Sequence, residues 1–190
     1  MELVWGKEYM SSLQALPLMT AKQFFALPEP VGNFTYELHF GELVKVGRPK
    51  KIHFRLQMVI RDLILAALDG KRWLVEIEMP YGLSEGFDAR AADVGVVRRK
   101  TFDAIPDDSY LIGSPELVVQ VKSRSNRDRK MEEDAVAHIT HGASSVWLVK
   151  PERREIIVVT AAARKVCGAG DVIELPAPLR LKIPVDRIFR

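Results

Sequence analysis

Apolar side chains recur at helical spacing between residues 51 and 69, and this segment is the first substantial helix that the sequence predicts. Gly70 follows it at the position where a C-terminal cap belongs. A shorter helix is expected in MTAKQFFALPEP, with Thr20 as its N-cap and two prolines at its end. Between the two helices, FTYELHFGELVKV alternates around Gly41 in the manner of a tight β-hairpin.

Five later segments have the short apolar pattern of strands: WLVEIEMPYG, ADVGVV, ELVVQVK, SSVWLVK and EIIVVTA. Between the third and the fourth, NRDRKMEEDAVAHITHG predicts a polar helix of about four turns that ends at Gly142. This strand, helix and strand over residues 116–149 predict a right-handed crossover. We therefore expect an α/β chain whose mixed α+β sheet is flanked by helices. After about residue 165 the sequence predicts only short extended pieces and a closing turn at VDRIF.

The chain is organised as one unit. No repeat, low-complexity tract or long linker divides its 190 residues, so we expect a single domain over residues 1–190, with residues 1–30 as an N-terminal helical extension. The lone cysteine, Cys167, cannot form an internal disulfide, which fits a reducing compartment. Because no targeting segment stands out and the apolar windows are short or interrupted, we expect a cytoplasmic location and no membrane partner.

Basic residues are unevenly distributed, although the net charge of +3 and the pI near 9.0 are only mildly basic. Residues 122–130, KSRSNRDRK, hold five basic residues against a single aspartate, and a second basic cluster lies at residues 45–55. By themselves such clusters are ordinary solvated surface. Beside a site that acts on phosphate, they predict contacts with nucleic acid.

The predicted strand ELVVQVK carries polar side chains on one face. Because side chains alternate along a strand, Gln120 and Lys122 share a face at the end of an otherwise apolar segment. Asp93 is similarly a lone carboxylate that leads into the apolar positions of ADVGVV. Since buried charges need partners, Asp93 and Lys122 are expected to pair with each other or to share a metal ion. The alternative is a polar trio that caps strand ends and forms an ordinary ion pair.

An acidic residue followed 27 positions later by an amide or carboxylate, a spacer and a lysine is the arrangement of PD-(D/E)XK nucleases. More narrowly, the chain resembles the bacterial restriction-endonuclease family called Uma-two. The resemblance covers most of the length, and its segments occur in the family's order: MTAKQFFALPE, YELHFGELV, ADVGVV, SPELVVQVKSRSNRDR, GASSVWLVKPERREIIVV and LRLKIPVDRIF.

The resemblance implies a restriction-endonuclease-like fold, a divalent metal, Mg²⁺ or Mn²⁺, and hydrolysis of phosphodiester bonds in DNA. By position it makes Asp93 the principal metal ligand, Gln120 a second ligand through its amide oxygen, and Lys122 the residue that orients the attacking water. Glu37 and His53 would complete the site from the N-terminal side. A hard cation prefers oxygen ligands, and a nearby ammonium group stabilises developing negative charge, so these residue types suit that chemistry.

The sequence departs from the family at several positions. Members generally carry glutamate where Gln120 stands, and the neutral amide is expected to lower metal affinity. Lysine and tyrosine are common where this chain has Asp134 and His138. Many members lack the lysine that is present here as Lys122.

Other candidates have simpler explanations. Glu37 could equally be a hairpin carboxylate that faces solvent, and His53 is more typical of a surface or packing residue. Glu76 and Glu78 share a strand face that is expected to be solvated. Phosphate contacts are expected from basic residues near the site, joined by His53: Arg124, Arg127, Arg129, Lys130 and Lys51.

Two rival functions remain open at this stage. One is a non-catalytic nucleic-acid-binding or interaction module that keeps the nuclease fold, and the other is a hydrolase acting on nucleotides or another phosphate ester. DNA is the expected partner. A homodimer is the expected assembly, because symmetric association is the common default and cutting two strands calls for two sites.

Overall fold

The computed structural model describes residues 18–123 and 127–190. Four α-helices and a 3₁₀ turn accompany the strands: α1 Ala21–Phe25, α2 Lys51–Ala67, α3 Arg99–Phe102, α4 Asp128–Thr140 and the turn Val185–Arg187. Eleven strands are formed by the described residues: β1 Phe34–His39, β2 Glu42–Gly47, β3 Trp73–Gly82, β4 Arg90–Arg98, β5 Leu111–Ile112, β6 Leu117–Val121, β7 Ser145–Lys150, β8 Glu155–Val159, β9 Arg164–Cys167, β10 Val172–Glu174 and β11 Lys182–Pro184.

Seven of these strands form one mixed sheet in the order β5-β3-β4-β6-β7-β8-β9. β6 and β7 run parallel and are joined through α4, and β3 and β5 are also parallel, while the other neighbours are antiparallel. The expected mixed sheet with flanking helices is therefore confirmed. Two antiparallel pairs, β1-β2 and β10-β11, stand apart from it.

Each face of the sheet is covered by a helix. On one face, Leu56, Ile60 and Ile64 of α2 are buried against the sheet together with residues of the C-terminal segments. On the other face, Met131 and Ala135 of α4 pack with side chains of the central strands. Alternating residues of β6 feed the two faces, with Leu117, Val119 and Val121 on the α2 side and Val118 on the α4 side, as predicted from the sequence.

The β1-β2 hairpin packs beside the start of β4. Phe40 and Gly41 both have left-handed φ angles, 49° and 84°, which are the conformations that a two-residue hairpin turn requires. Fully buried Leu38 forms a bridge with Ala89 and exchanges two backbone hydrogen bonds of 2.8 Å with it. These contacts fix the hairpin next to the start of β4.

The helix ends agree only partly with the sequence prediction. Thr20 caps α1 through a reciprocal capping box with Gln23, as expected. Gly70 is not the cap of α2, because the helix ends at Ala67 and its C-cap is Leu68, where the backbone is extended. No helix in residues 18–123 and 127–190 has the length and apolar character needed to cross a bilayer.

Candidate active site

The pleat of the sheet is interrupted where Glu78 of β3 faces Asp93 of β4. Ile77 pairs with Val94 and Met79 pairs with Ala92, but the residues between them do not pair. Glu78 has a φ of 50°, a left-handed conformation that costs roughly 1–3 kcal/mol outside glycine. In β3, the odd-numbered apolar residues lie on the α2 side before this point and on the α4 side after it.

β4 and β6 separate next to this interruption. Their ladder runs only as far as the pair Val94 and Val119. Beyond it, side chains replace backbone partners: Val121 N donates to Asp93 Oδ2 at 2.5 Å, and Gln120 Nε2 donates to the Ala91 carbonyl at 3.3 Å. Asp93 therefore lies in the fork between two central strands.

Helix α2 supplies two further partners for Asp93. His53 and Gln57 are four residues apart and share a helix face. His53 Nε2 lies 2.7 Å from Asp93 Oδ1, and Gln57 Nε2 donates to the same oxygen at 2.7 Å. Gln57 Nε2 also donates to Glu78 Oε1 at 2.5 Å, so one fully buried amide holds two carboxylates together.

The clustering of these groups shifts two pKa values. Burial alone would lower the pKa of His53, but the hydrogen bond to Asp93 and the negative charges of Asp93 and Glu78 outweigh it and raise the pKa. The pKa of Glu78 is raised, because partial burial and the charge of Asp93 outweigh the hydrogen bond from Gln57. The histidine is therefore biased toward its charged form beside two carboxylates.

Glu37 reaches the same region from the β1-β2 hairpin. Its Oε1 accepts a hydrogen bond of 3.2 Å from Ala91 N, and its Oε2 lies 2.6 Å from His39 Nε2. Because Gln120 binds the carbonyl of Ala91, Glu37 and Gln120 are both held by the backbone of one β4 residue.

A cavity of about 570 Å³ collects these side chains. We define the polar cluster as five of the titratable and amide side chains that line it: Glu37, His53, Glu78, Asp93 and Gln120. Four of the five residues were candidates from the sequence. Only Glu78 joins them unexpectedly.

A family model described as "Putative restriction endonuclease" and named Uma2 matches residues 21–186. The chain belongs to the Uma2 family. A crystal structure described as a "putative nuclease belonging to DUF820" from Anabaena variabilis ATCC 29413 superposes on this Uma2 chain with a TM-score of 0.76 at 16% identity, covering 90% of this chain and 97% of that one. At that identity the likeness shows a shared fold. No curated protein matches the sequence.

In the structure of this Uma2 chain, Lys122 pairs with a residue outside the polar cluster. Its Nζ forms an ion pair of 2.7 Å with Asp128 Oδ1, and Lys150 Nζ lies 3.4 Å from the same oxygen. The hydrogen bond from Lys122 and the charge of Lys150 hold the pKa of Asp128 below its usual value. The expected direct pairing of Asp93 with Lys122 is thus wrong, because the first turn of α4 offers Lys122 another carboxylate.

The carboxylate and amide oxygens of the polar cluster are the types of donor atom that a hard divalent cation prefers. Within residues 18–123 and 127–190, no three His, Cys, Asp or Glu side chains are grouped closely enough to hold a metal between them. Mg²⁺ does not require such a group, because it commonly binds one or two carboxylates and completes its shell with water and substrate phosphate. Asp93, with the amide oxygen of Gln120, meets that requirement.

Among the described residues expected to contact phosphate, His53 lines the 570 Å³ cavity and the other basic candidates do not. Arg127 and Lys130, at the start of α4, line a second cavity of about 300 Å³ that shares Glu37 and Gln120 with the first. Arg129 is almost fully exposed and pairs with Glu133 at 2.8 Å. Lys51 is the exposed first residue of α2. Arg124 lies outside the described residues.

Sequence reasoning missed Gln57 and the contact that Glu78 makes with it. A signal for Gln57 existed, since it lies four residues after His53 and beside Leu56 in the buried stripe of α2. Glu78 is exposed like Glu76, as expected. Its Oε1 also accepts a hydrogen bond from Gln57 Nε2, and the sequence gives no local sign of that contact or of the left-handed backbone at Glu78.

Proposed function

We propose that this Uma2 protein is a metal-dependent endonuclease that hydrolyses phosphodiester bonds in DNA. The observation that carries the proposal is the gathering of Asp93, Glu78, Glu37 and Gln120 in one cavity at the fork of β4 and β6. Membership of a family described as a restriction endonuclease supports the same chemistry.

Asp93 and the Gln120 amide oxygen would hold the metal, Mg²⁺ or Mn²⁺, with Glu37 and Glu78 adjacent. When bound, such an ion polarises the phosphate and lowers the pKa of a coordinated water. Asp93 is prepared for this role, because donors from β6 and α2 fix both of its oxygens in place. A carboxylate has about four lone-pair positions, so these contacts leave capacity for a cation.

His53 acts in the proposal as a positioning residue. Its Nε2 holds Asp93 Oδ1, and its raised pKa favours the protonated ring that donates to that oxygen. Gln57 holds the same oxygen and ties it to Glu78. The carboxylates thereby keep their orientation without an ion between them.

Lys122 would serve the attacking water after leaving Asp128. The side chain of Asp128 is 41% exposed, so its ion pair with Lys122 is screened by solvent and adds little stability. A phosphodiester of a bound strand can compete for the ammonium group, because lysine forms strong charge-assisted hydrogen bonds to phosphate. The ammonium group would then stabilise the negative charge that develops on the phosphate.

Incubation of supercoiled plasmid with the purified protein tests the proposal. We expect nicking with Mg²⁺ or Mn²⁺, no nicking with chelator, and loss of nicking in Asp93→Asn and Lys122→Ala. Asp93→Asn keeps the shape of the side chain, so a matched circular dichroism spectrum controls for folding. Equal nicking by the wild type and both variants would sink the proposal.

A non-catalytic DNA-binding module is the second candidate. Two observations favour it: the amide of Gln120 stands where a second carboxylate is usual, and Lys122 is engaged with Asp128. Salt-sensitive DNA binding without cleavage in any divalent metal would support this candidate. We propose the homodimer only for the nuclease, because cutting two strands calls for two sites. Sedimentation velocity would test this assembly.

A further inference from the structure

One side of the 570 Å³ cavity is aromatic. We define the aromatic wall as Phe24 and Phe25 of α1 together with Tyr110, all of which line the cavity that contains Asp93. The Phe25 ring centroid lies 5.2 Å from that of Phe24 and 5.7 Å from that of Tyr110. Phe25 nevertheless keeps 62% of its surface exposed. A ring that is held by two aromatic neighbours and keeps most of its surface exposed can stack a further ring.

The wall is anchored from below. α1 is capped by Thr20, and Ala21 is buried and donates from its backbone nitrogen to the Gly86 carbonyl at 2.7 Å. Tyr110 Oη donates to the Asp88 carbonyl at 3.0 Å. The backbone carrying these rings is thus fixed to the loop between β3 and β4, and the exposure of Phe25 does not arise from an unattached segment.

We infer that the aromatic wall stacks an unpaired nucleobase, so that the site takes single-stranded DNA in preference to duplex. The inference rests on the proposed nuclease function. Bases within a duplex already stack on each other, and only an unpaired base can offer a face to Phe25. The cavity has the size of a small-ligand pocket, which suits one or two nucleotides rather than a double helix.

The charge of the cavity also favours an aromatic contact. The polar cluster holds three carboxylates against one histidine, and the carboxylates repel phosphate when no cation is bound. Stacking between the aromatic wall and an uncharged base would hold the strand in the cavity without that repulsion. Base stacking would therefore position the adjacent phosphate toward Asp93.

Fluorescence anisotropy with a short labelled DNA strand, and with a hairpin duplex of the same sequence, tests the inference. An Asp93→Asn background prevents cleavage and removes one repelling charge. In that background we expect the single strand to bind more tightly than the hairpin duplex. Phe25→Ala should weaken single-strand binding about tenfold and leave duplex binding nearly unchanged. Phe25→Trp should restore single-strand binding. Phe87→Ala is the matched control, since Phe87 is also exposed but does not line the cavity.

An unchanged single-strand affinity in Phe25→Ala would overturn the inference, as would equal losses for strand and duplex or an equal loss in Phe87→Ala. The two proposals can fail separately. Strand selection by Phe25 without any cleavage would leave the inference standing and defeat the nuclease. Metal-dependent cleavage whose strand preference is unchanged in Phe25→Ala would support the nuclease and overturn the inference about the aromatic wall.

Discussion

At the scale of single residues, the arrangement of the carboxylates in the site depends on the hydrogen bonds of the Gln57 side chain. Its Nε2 is shared between Asp93 and Glu78, and its Oε1 is buried without a hydrogen-bond partner. A buried unpaired oxygen costs about 1–3 kcal/mol. The amide is therefore poorly suited to stability and well suited to holding two acceptors close together, a pattern typical of functional sites.

Substitution of Gln57 separates stability from function. Gln57→Leu removes the orphaned oxygen and fills similar volume, so we expect a melting temperature near that of the wild type and strongly reduced plasmid nicking. Gln57→Glu adds a third carboxylate to the pair and should destabilise the fold by about 2 kcal/mol or more. Thermal denaturation and nicking assays measure both effects. Wild-type nicking by Gln57→Leu would show that the shared amide is dispensable.

His138 gives the fold a pH dependence that lies apart from the polar cluster. Its Nδ1 lies 2.5 Å from the Asp134 carbonyl and its Nε2 lies 2.5 Å from Tyr81 Oη, an arrangement that suits a neutral ring. Burial, assisted by the charge of Arg90, lowers the pKa of His138 from 6.5 to about 4. Between these values the unfolded chain binds a proton that the folded chain does not, so stability falls as the pH drops through this window.

We expect His138 to account for about 2 kcal/mol of stability lost between pH 7 and pH 5. Urea denaturation of the wild type and of His138→Gln at both pH values measures this contribution. The glutamine keeps an acceptor for Tyr81 but does not titrate, so its stability should fall less on acidification. Parallel losses in the two proteins would contradict the assignment.

At the scale of elements, predictability follows the range of the contacts. The alternation in ELVVQVK, the helix at α4 and the hairpin at Gly41 depend on local pattern, and the structure confirms all three. The fork between β4 and β6 and the turn at Glu78 depend on α2, which is distant in sequence, and no local pattern predicts them. The partner of Lys122 was closer at hand, because Asp128 follows it by six residues.

The start of α4 is the element expected to carry phosphate contacts. Removing Arg127 or Lys130 should weaken DNA binding uniformly across sequences and lower the slope of log affinity against log salt by about one unit each. Lys182→Ala is the control, because Lys182 lies on β11 and pairs there with Glu174. Salt titrations of binding measure the slopes. Slopes in Arg127→Ala and Lys130→Ala equal to that of Lys182→Ala would show that the start of α4 does not contact phosphate.

At the scale of the whole molecule, the sheet brings distant segments to one place. The hairpin contributes Glu37, α2 contributes His53 and Gln57, and the fork contributes Asp93 and Gln120. The family's sequence pattern predicted that Glu37, Asp93 and Gln120 would meet, whereas periodicity alone left a set of polar residues at strand ends. The reason is physical: strand order and helix placement decide which polar residues meet, and neither is encoded in a local repeat.

The most direct test of the central claim is plasmid nicking measured across a titration of Mg²⁺, for the wild type and for Gln120→Glu. We expect nicking that saturates with Mg²⁺ in both proteins. Gln120→Glu should reach saturation at a lower Mg²⁺ concentration, because it adds a carboxylate where the wild type offers only an amide oxygen. Nicking that persists in chelator, or its absence from both proteins at every Mg²⁺ concentration, would contradict the account.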